Sequence, residues 1–207
     1  MNIECPQTML FHVQKVLDGE YDVPYQATRP VVLDIGANVG SFAAWALQKW
    51  PDCHVHCYEP MPDNFEFLKR NLGHLEPGRV TLNNFAVGNP ELKLLYRGAN
   101  NCGEASFYDI GEQTGEATEV VCKTPNVLPA AQVMKIDTEA SEIDILSRLE
   151  AIDHDVIMLE YHSDANRRLI DQLLPDHYLV GGEIRCLHRG TVKFLHRRLF
   201  EPANAKN

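Results

Sequence analysis

The chain has 207 residues, of which 44% are hydrophobic and 23% charged, a globular composition that excludes collagen, coiled coil and disorder as the main state. Nineteen Lys and Arg against 29 Asp and Glu leave a formal charge of −10. General binding to nucleic acid or an anionic membrane is therefore not expected, because nothing in the balance offsets phosphate repulsion. The six cysteines form no C-x-x-C pair, which speaks against a zinc ribbon or a thioredoxin-type motif. No basic stretch followed by an apolar run opens the sequence, and no apolar run nears about 18 residues. The expectation is a cytoplasmic protein with reduced thiols and a single domain over residues 1–207.

Residues 7–18 place Met9, Leu10, Val13, Val16 and Leu17 at helical spacing, which predicts a helix packed on one side of the domain. Residues 22–30 then read as a polar, Pro-containing connector, so that residues 1–29 form an amino-terminal helix and connector. A strand at Val31–Ile35 ends in glycines, and a helix over 40–50 follows with Phe42, Trp45, Ala46 and Lys49 on one face. His54–Tyr58 is a second strand, 63–72 a helix with Phe65, Leu68 and Leu72 inward, and 80–87 a third strand. Residues 88–130 break the rhythm with Gly98, Asn100, Asn101, Gly103, Gly111 and Gly115. They read as an inserted β-ribbon or flap with strand-like pieces at 92–96 and 105–108. Strands at Val133–Ile136 and Val156–Tyr161 alternate with helices over 140–149 and 167–174. Residues 178–185 and 191–199 close the chain as a hairpin. Alternating strands and helices imply a parallel sheet covered on both faces, with ligands outside the carboxyl ends of its strands.

Those ends carry the chemistry. After the first strand stands Asp34-Ile-Gly36-Ala37-Asn38-Val-Gly40. Its glycines permit a tight turn and a close ligand approach, suiting a dinucleotide or S-adenosylmethionine (SAM). A dinucleotide fingerprint needs G-x-G-x-x-G, and the intermediate glycine is missing. Asp34 suits the amino and sulfonium groups of SAM better than a pyrophosphate. The second strand ends Tyr58-Glu59-Pro60, where Glu59 can accept hydrogen bonds from vicinal ribose hydroxyls. Asp137, Glu139, Glu160 and His162 gather around one crevice mouth, Glu160 and His162 sharing a strand face. An alcohol acceptor needs a base or a metal. His162 is the expected general base, with Asp137 orienting the acceptor or taking its proton and Glu139 beside them. Alternatively, Asp137, Glu160 and His162 hold Mg²⁺ or another divalent ion. Glu142 is expected to stabilise its helix or pair with Lys135. His54 and His56, lacking a third ligand, read as polar strand residues.

These segments, with Asn84-Phe-Ala86-Val87, Lys135-Ile-Asp-Thr-Glu-Ala-Ser-Glu142 and Asn101-Cys-Gly-Glu-Ala-Ser106, resemble the FkbM-type SAM-dependent methyltransferases from about residue 30 to residue 199. The resemblance implies the Rossmann-like class I methyltransferase sandwich of three layers, its seven-stranded, mostly parallel sheet ending in an antiparallel strand. It implies that residues 34–40 line the methionine end of SAM, that Glu59 with Pro60 binds the ribose, that Asn84 and Ala86 border the adenine, and that Asp137 faces the methyl group. It implies O-methylation of a hydroxyl on a sugar, glycan or secondary metabolite. One departure stands out: the family usually has glycine where this chain has Ala140, and alanine improves helix propensity. A small-molecule or glycan acceptor is the expected partner, in a pocket shaped by residues 1–29, the flap and, in a homodimer, a partner subunit. The competing readings are a nicotinamide-binding oxidoreductase and a catalytically silent SAM-binding scaffold.

Overall fold

The structure, a computed structural model, describes residues 2–98, 104–108, 113–186 and 188–201. In chain order its elements are α1 (Leu10–Leu17), β1 (Val31–Ile35), α2 (Ser41–Lys49), β2 (His54–Tyr58), α3 (Pro62–Leu72), β3 (Val80–Asn83), β4 (Ala86–Val87), β5 (Leu94–Gly98), β6 (Gln113–Glu119), β7 (Cys122–Lys123), β8 (Val133–Ile136), α4 (Glu142–Arg148), β9 (Val156–Tyr161), α5 (Asp164–Leu173), β10 (His177–Cys186) and β11 (Arg189–His196). Every residue of β8 and β9 is buried, as continuous apolar runs require when helices cover both faces of a parallel sheet.

Seven strands form one sheet in the order β10-β11-β9-β8-β1-β2-β3. The five strands β3, β2, β1, β8 and β9 run parallel, and β11 is antiparallel to both β9 and β10. The chain winds outward from β1 through β2 to β3, then returns beside β1 as β8. The switch point therefore opens a crevice at the carboxyl ends of β1 and β8. On one face α2 is buried from Phe42 to Leu47 between the sheet and the α1 region, with Trp45 and Trp50 edge-to-face at 5.6 Å. On the other, Ile145, Leu146 and Ile170 cover Ile136, Ile157 and Leu159.

Four expectations change. The amino-terminal helix begins as a 3₁₀ turn over Gln7–Met9, whose tighter winding shifts the phase assumed for residues 7–18. Met9 and Val13 are buried, while Leu10 is 54% exposed. The strand expected over 80–87 splits, because the Asn84 side chain donates to the Glu59 carbonyl at 2.8 Å and turns the chain out of the sheet; β4 then pairs with β7. The helix expected over 140–149 starts at Glu142, because Glu139 and Ala140 lie at φ +50° and +81°, outside the right-handed helical region. The helix expected over 167–174 starts earlier, at Asp164, capped by the Ser163 hydroxyl accepting from the Asn166 amide at 3.0 Å.

The ribbon is present as β5 against β6. Residues 104–108 join it through Ser106, which exchanges backbone bonds with Tyr96 at 2.8 and 3.0 Å. Asn100, Asn101, Cys102, Gly103 and Gly111 lie outside the described residues. Among the described residues, no helix is long and apolar enough to cross a membrane.

Candidate active site

The loop after β1 is shaped by contacts within the protein. Gly36 has φ +79°, and a Cβ there would lie 1.8 Å from the Asp137 carbonyl oxygen. Gly40, at φ +92°, would place a Cβ 2.9 Å from Leu68 and Leu72 of α3. Both glycines thus admit neighbouring chain, where the sequence suggested room for a ligand; Gly36 still lines the cavity and Gly40 does not. Asp34 is also corrected. It is fully buried, away from the cavity lining, with its carboxylate 3.2 Å from the Lys135 ammonium. Burial raises its carboxyl above the usual carboxylate range against the pull of Lys135. Instead of meeting a cationic ligand, Asp34 neutralises Lys135, whose Nζ donates to the Gly36 carbonyl at 2.6 Å and sits 3.8 Å from Asp137 Oδ2.

Glu59 at the end of β2 is 4% exposed. Its Oε2 accepts from the Asn38 amide at 2.8 Å and its Oε1 from the Met61 amide at 2.9 Å. Burial pushes its carboxyl up to about 7, although both backbone bonds pull the other way. A carboxylate has about four acceptor positions; the two amides and the Asn64 side chain take three of them, which leaves capacity for a further donor. Ala37, Asn38, Pro60 and Ala86 line the same cavity as Glu59. Asn84 does not; its amide holds the Glu59 and Pro60 carbonyls, so it shapes the wall from behind. Val87, Leu95 and Phe107 continue the lining as an apolar surface.

Residues 137–142, the acid loop, form the opposite end. Asp137 Oδ2 accepts from the Tyr21 hydroxyl at 3.2 Å. Burial alone would raise the Asp137 carboxyl, but Lys135, His162 and Arg185 outweigh it and hold it below the usual range. Glu160 accepts from Arg185 Nη1 at 2.8 Å, and the same guanidinium pairs with Glu20. Burial and the charge of Asp137 push Glu160 up to about 8 against the pull of Arg185. Glu139 pairs with Arg189.

His162 does not stand free as a base. Its Nε2 lies 2.8 Å from Glu139 and its Nδ1 3.0 Å from Glu142. Burial favours the neutral ring, but these two carboxylates outweigh it and push the imidazole up to about 11, so it is a cation at neutral pH with no lone pair to offer. Glu142 binds His162 and the Ala140 amide, not Lys135. The expected ion site of Asp137, Glu160 and His162 is corrected with it: His162 and Glu160 are taken up by ion pairs, and among the described residues no group of three His, Cys, Asp or Glu is placed to hold a metal. His54 and His56 stack at 4.6 Å on β2, as polar strand residues.

Tyr21, Lys135, Arg185 and Arg189 were not among the site residues expected from sequence. A lysine two residues before Asp137 on an otherwise apolar strand was a readable sign, since buried lysines are paired. Tyr21 and the two arginines carried none. The donor set fits SAM. Glu59 retains acceptor capacity for a ribose hydroxyl, and Asn38 Oδ1, Thr138 Oγ1 and Ser141 Oγ are buried without a hydrogen-bond partner among the described residues, on residues that line the cavity.

No family model matches the chain. A stretch of 81 residues is 33% identical to the 2-O-methyltransferase NoeI of Sinorhizobium fredii, covering 39% of this chain and 32% of that protein. A stretch of 55 residues is 35% identical to the methyltransferase sdnD of Sordaria araneosa, covering 27% of this chain and 21% of that one. The chain thus spans a third or less of the length of these curated relatives. The solved methyltransferase FkbM of Methylobacillus flagellatus superposes with a TM-score of 0.56 at 13% identity, over 92% of this chain and 48% of that one. With the strand order above, the fold is the Rossmann-like class I methyltransferase fold.

Proposed function

We propose that this protein is a SAM-dependent methyltransferase acting on a hydroxyl of a sugar, glycan or secondary metabolite. The observation that carries the reading is Glu59, a buried carboxylate fixed by two backbone amides and the Asn64 side chain at the end of β2, with acceptor capacity left over. Asn38, Pro60 and Met61 flank the ribose position, and Ala86, Val87 and Phe107 supply the apolar wall for a base. SAM, when bound, supplies a methyl group on a sulfonium that is already a good leaving group. What remains for the chain is mainly to position the acceptor. Asp137, ionised and steered by Tyr21 and Lys135, accepts the acceptor's hydroxyl hydrogen bond. Glu160, its carboxyl raised by burial and by Asp137, is the neighbouring acid, held in place by Arg185.

Calorimetric titration with S-adenosylhomocysteine tests the cofactor site. The Glu59→Gln variant is expected to bind it about tenfold or more weakly, since hydrogen bonds to a charged group contribute about 1.5–3 kcal/mol. Unchanged affinity would remove Glu59 from the site. The free carboxyl sits near 7, and hydroxyl donors favour its ionised form. Affinity for S-adenosylhomocysteine should therefore rise as pH increases through 7, and this slope should vanish in Glu59→Gln. Stabilisation by NAD and not by S-adenosylhomocysteine would move the reading to a nicotinamide enzyme. Methyl transfer to a panel of polyhydroxylated acceptors, followed by mass spectrometry, tests the acceptor class.

A further inference from the structure

Residues 104–108 reach both ends of the cavity. Ala105 and Phe107 line it and pack with Met61 and Leu95, beside the backbone that fixes Glu59. Ser106 between them is fully buried. Its hydroxyl donates to the Glu139 carbonyl at 2.5 Å and accepts from the Tyr108 amide at 3.0 Å.

The Glu139 carbonyl and the Ala140 amide belong to one peptide plane. Ser106 holds its oxygen, and Glu142 Oε1 accepts from its nitrogen at 3.1 Å. The plane joins two residues in the left-handed region, φ +50° and +81°. L residues persist there only when their surroundings hold them. A flip of this plane would let Ala140 leave that region and would re-aim the Glu139 carbonyl.

We propose that Ser106 is a positioning residue: it locks the Glu139–Ala140 peptide and so sets the acid loop, and through Ala105 and Phe107 it transmits occupancy of the cofactor end to that loop. The assignment of ends rests on the methyltransferase reading; the lock itself does not.

Hydrogen exchange of a peptide spanning residues 138–146, read by mass spectrometry, tests both parts. In the free protein Ser106→Ala is expected to speed exchange there by about fivefold, the effect of one net hydrogen bond. Adding Ala140→Gly to Ser106→Ala is expected to restore most of the protection, because glycine adopts φ near +80° without cost. A merely structural role for the serine would not predict this rescue. Tyr108→Phe removes a bond to Asp144, which lies in the same peptide, without touching the Glu139 carbonyl, and should speed exchange there less than Ser106→Ala does. Unchanged exchange in Ser106→Ala, no rescue by glycine, or an equal loss in Tyr108→Phe would each overturn the lock. S-adenosylhomocysteine is expected to slow exchange at 138–146 in the unaltered protein and not in Ser106→Ala. Equal slowing in both overturns the transmission alone. No binding of S-adenosylhomocysteine to the unaltered protein overturns the cofactor reading and the transmission with it, while the exchange results in the free protein still decide the lock.

Discussion

At the scale of single residues, Ala140 is where local preference and tertiary demand conflict. Its side chain raises helix propensity, yet its φ of +81° belongs to a conformation that costs an L residue about 1–2 kcal/mol. Glycine there would remove that cost and lose part of the gain to the greater freedom of the unfolded chain. Ala140→Gly should therefore raise stability by about 0.5–1 kcal/mol, readable as a higher urea midpoint at unchanged slope. His162 shows the converse. The sequence placed it correctly at the carboxyl end of β9 and on the side of Glu160, but its protonation state depends on Glu139 and Glu142 folding around it.

At the scale of elements, each side of the cavity is contributed by a different part of the chain. The β1 and β2 loops bring Gly36, Asn38 and Glu59; the ribbon brings Ala105 and Phe107; the segment after α1 brings Glu20 and Tyr21. The β10–β11 hairpin brings Arg185 and Arg189. Arg185 bridges Glu160 and Glu20 and so ties the hairpin to β9 and to the amino-terminal segment. Arg185→Ala would remove the cation shared by two nearly buried carboxylates, leaving Glu20 with Lys15 at 3.1 Å and Glu160 with Arg189 at 3.6 Å. Breaking such pairs costs about 3–5 kcal/mol when fully buried; with the Arg185 side chain 25% exposed, about 2 kcal/mol is expected. Chemical denaturation measures it, and a loss under about 0.5 kcal/mol, the level of a surface pair, would show that the bridge does not join the elements.

Across the whole molecule, acid sensitivity is expected at the sheet end opposite the cavity. His154 is 7% exposed, and burial with the nearby His177 lowers it from 6.5 to about 4. Above pH 6.5 the ring is neutral in both folded and unfolded chains and contributes nothing to the pH dependence. As pH falls from 6.5 to 4 the unfolded chain takes up the proton and the folded chain does not. Stability is lost over that window, by up to about 3 kcal/mol for this shift. His154→Gln should lose less of its melting temperature between pH 7 and pH 4.5 than the unaltered protein; equal losses would show that His154 is not the group responsible.

The sequence by itself determined the elements whose signals are local. Strands β1, β2, β8 and β9 were legible to the residue because short runs of strand-forming residues ended by turn residues or acids need no partner to be recognised. The carboxylates at their ends followed from strand direction alone, and so did the crevice at the switch between β1 and β8. What only the tertiary structure decided is who faces whom. The division of 80–87 depended on Asn84 reaching Glu59, and the late start of α4 on a peptide held by Ser106 and Glu142. Asp34 became the partner of Lys135, and Tyr21 the partner of Asp137, 116 positions away. Burial and ion pairing are properties of neighbours brought together across the chain. The charge and role of an acid or a histidine in this cavity therefore became defined only when α1, the ribbon and the hairpin closed around the strand ends.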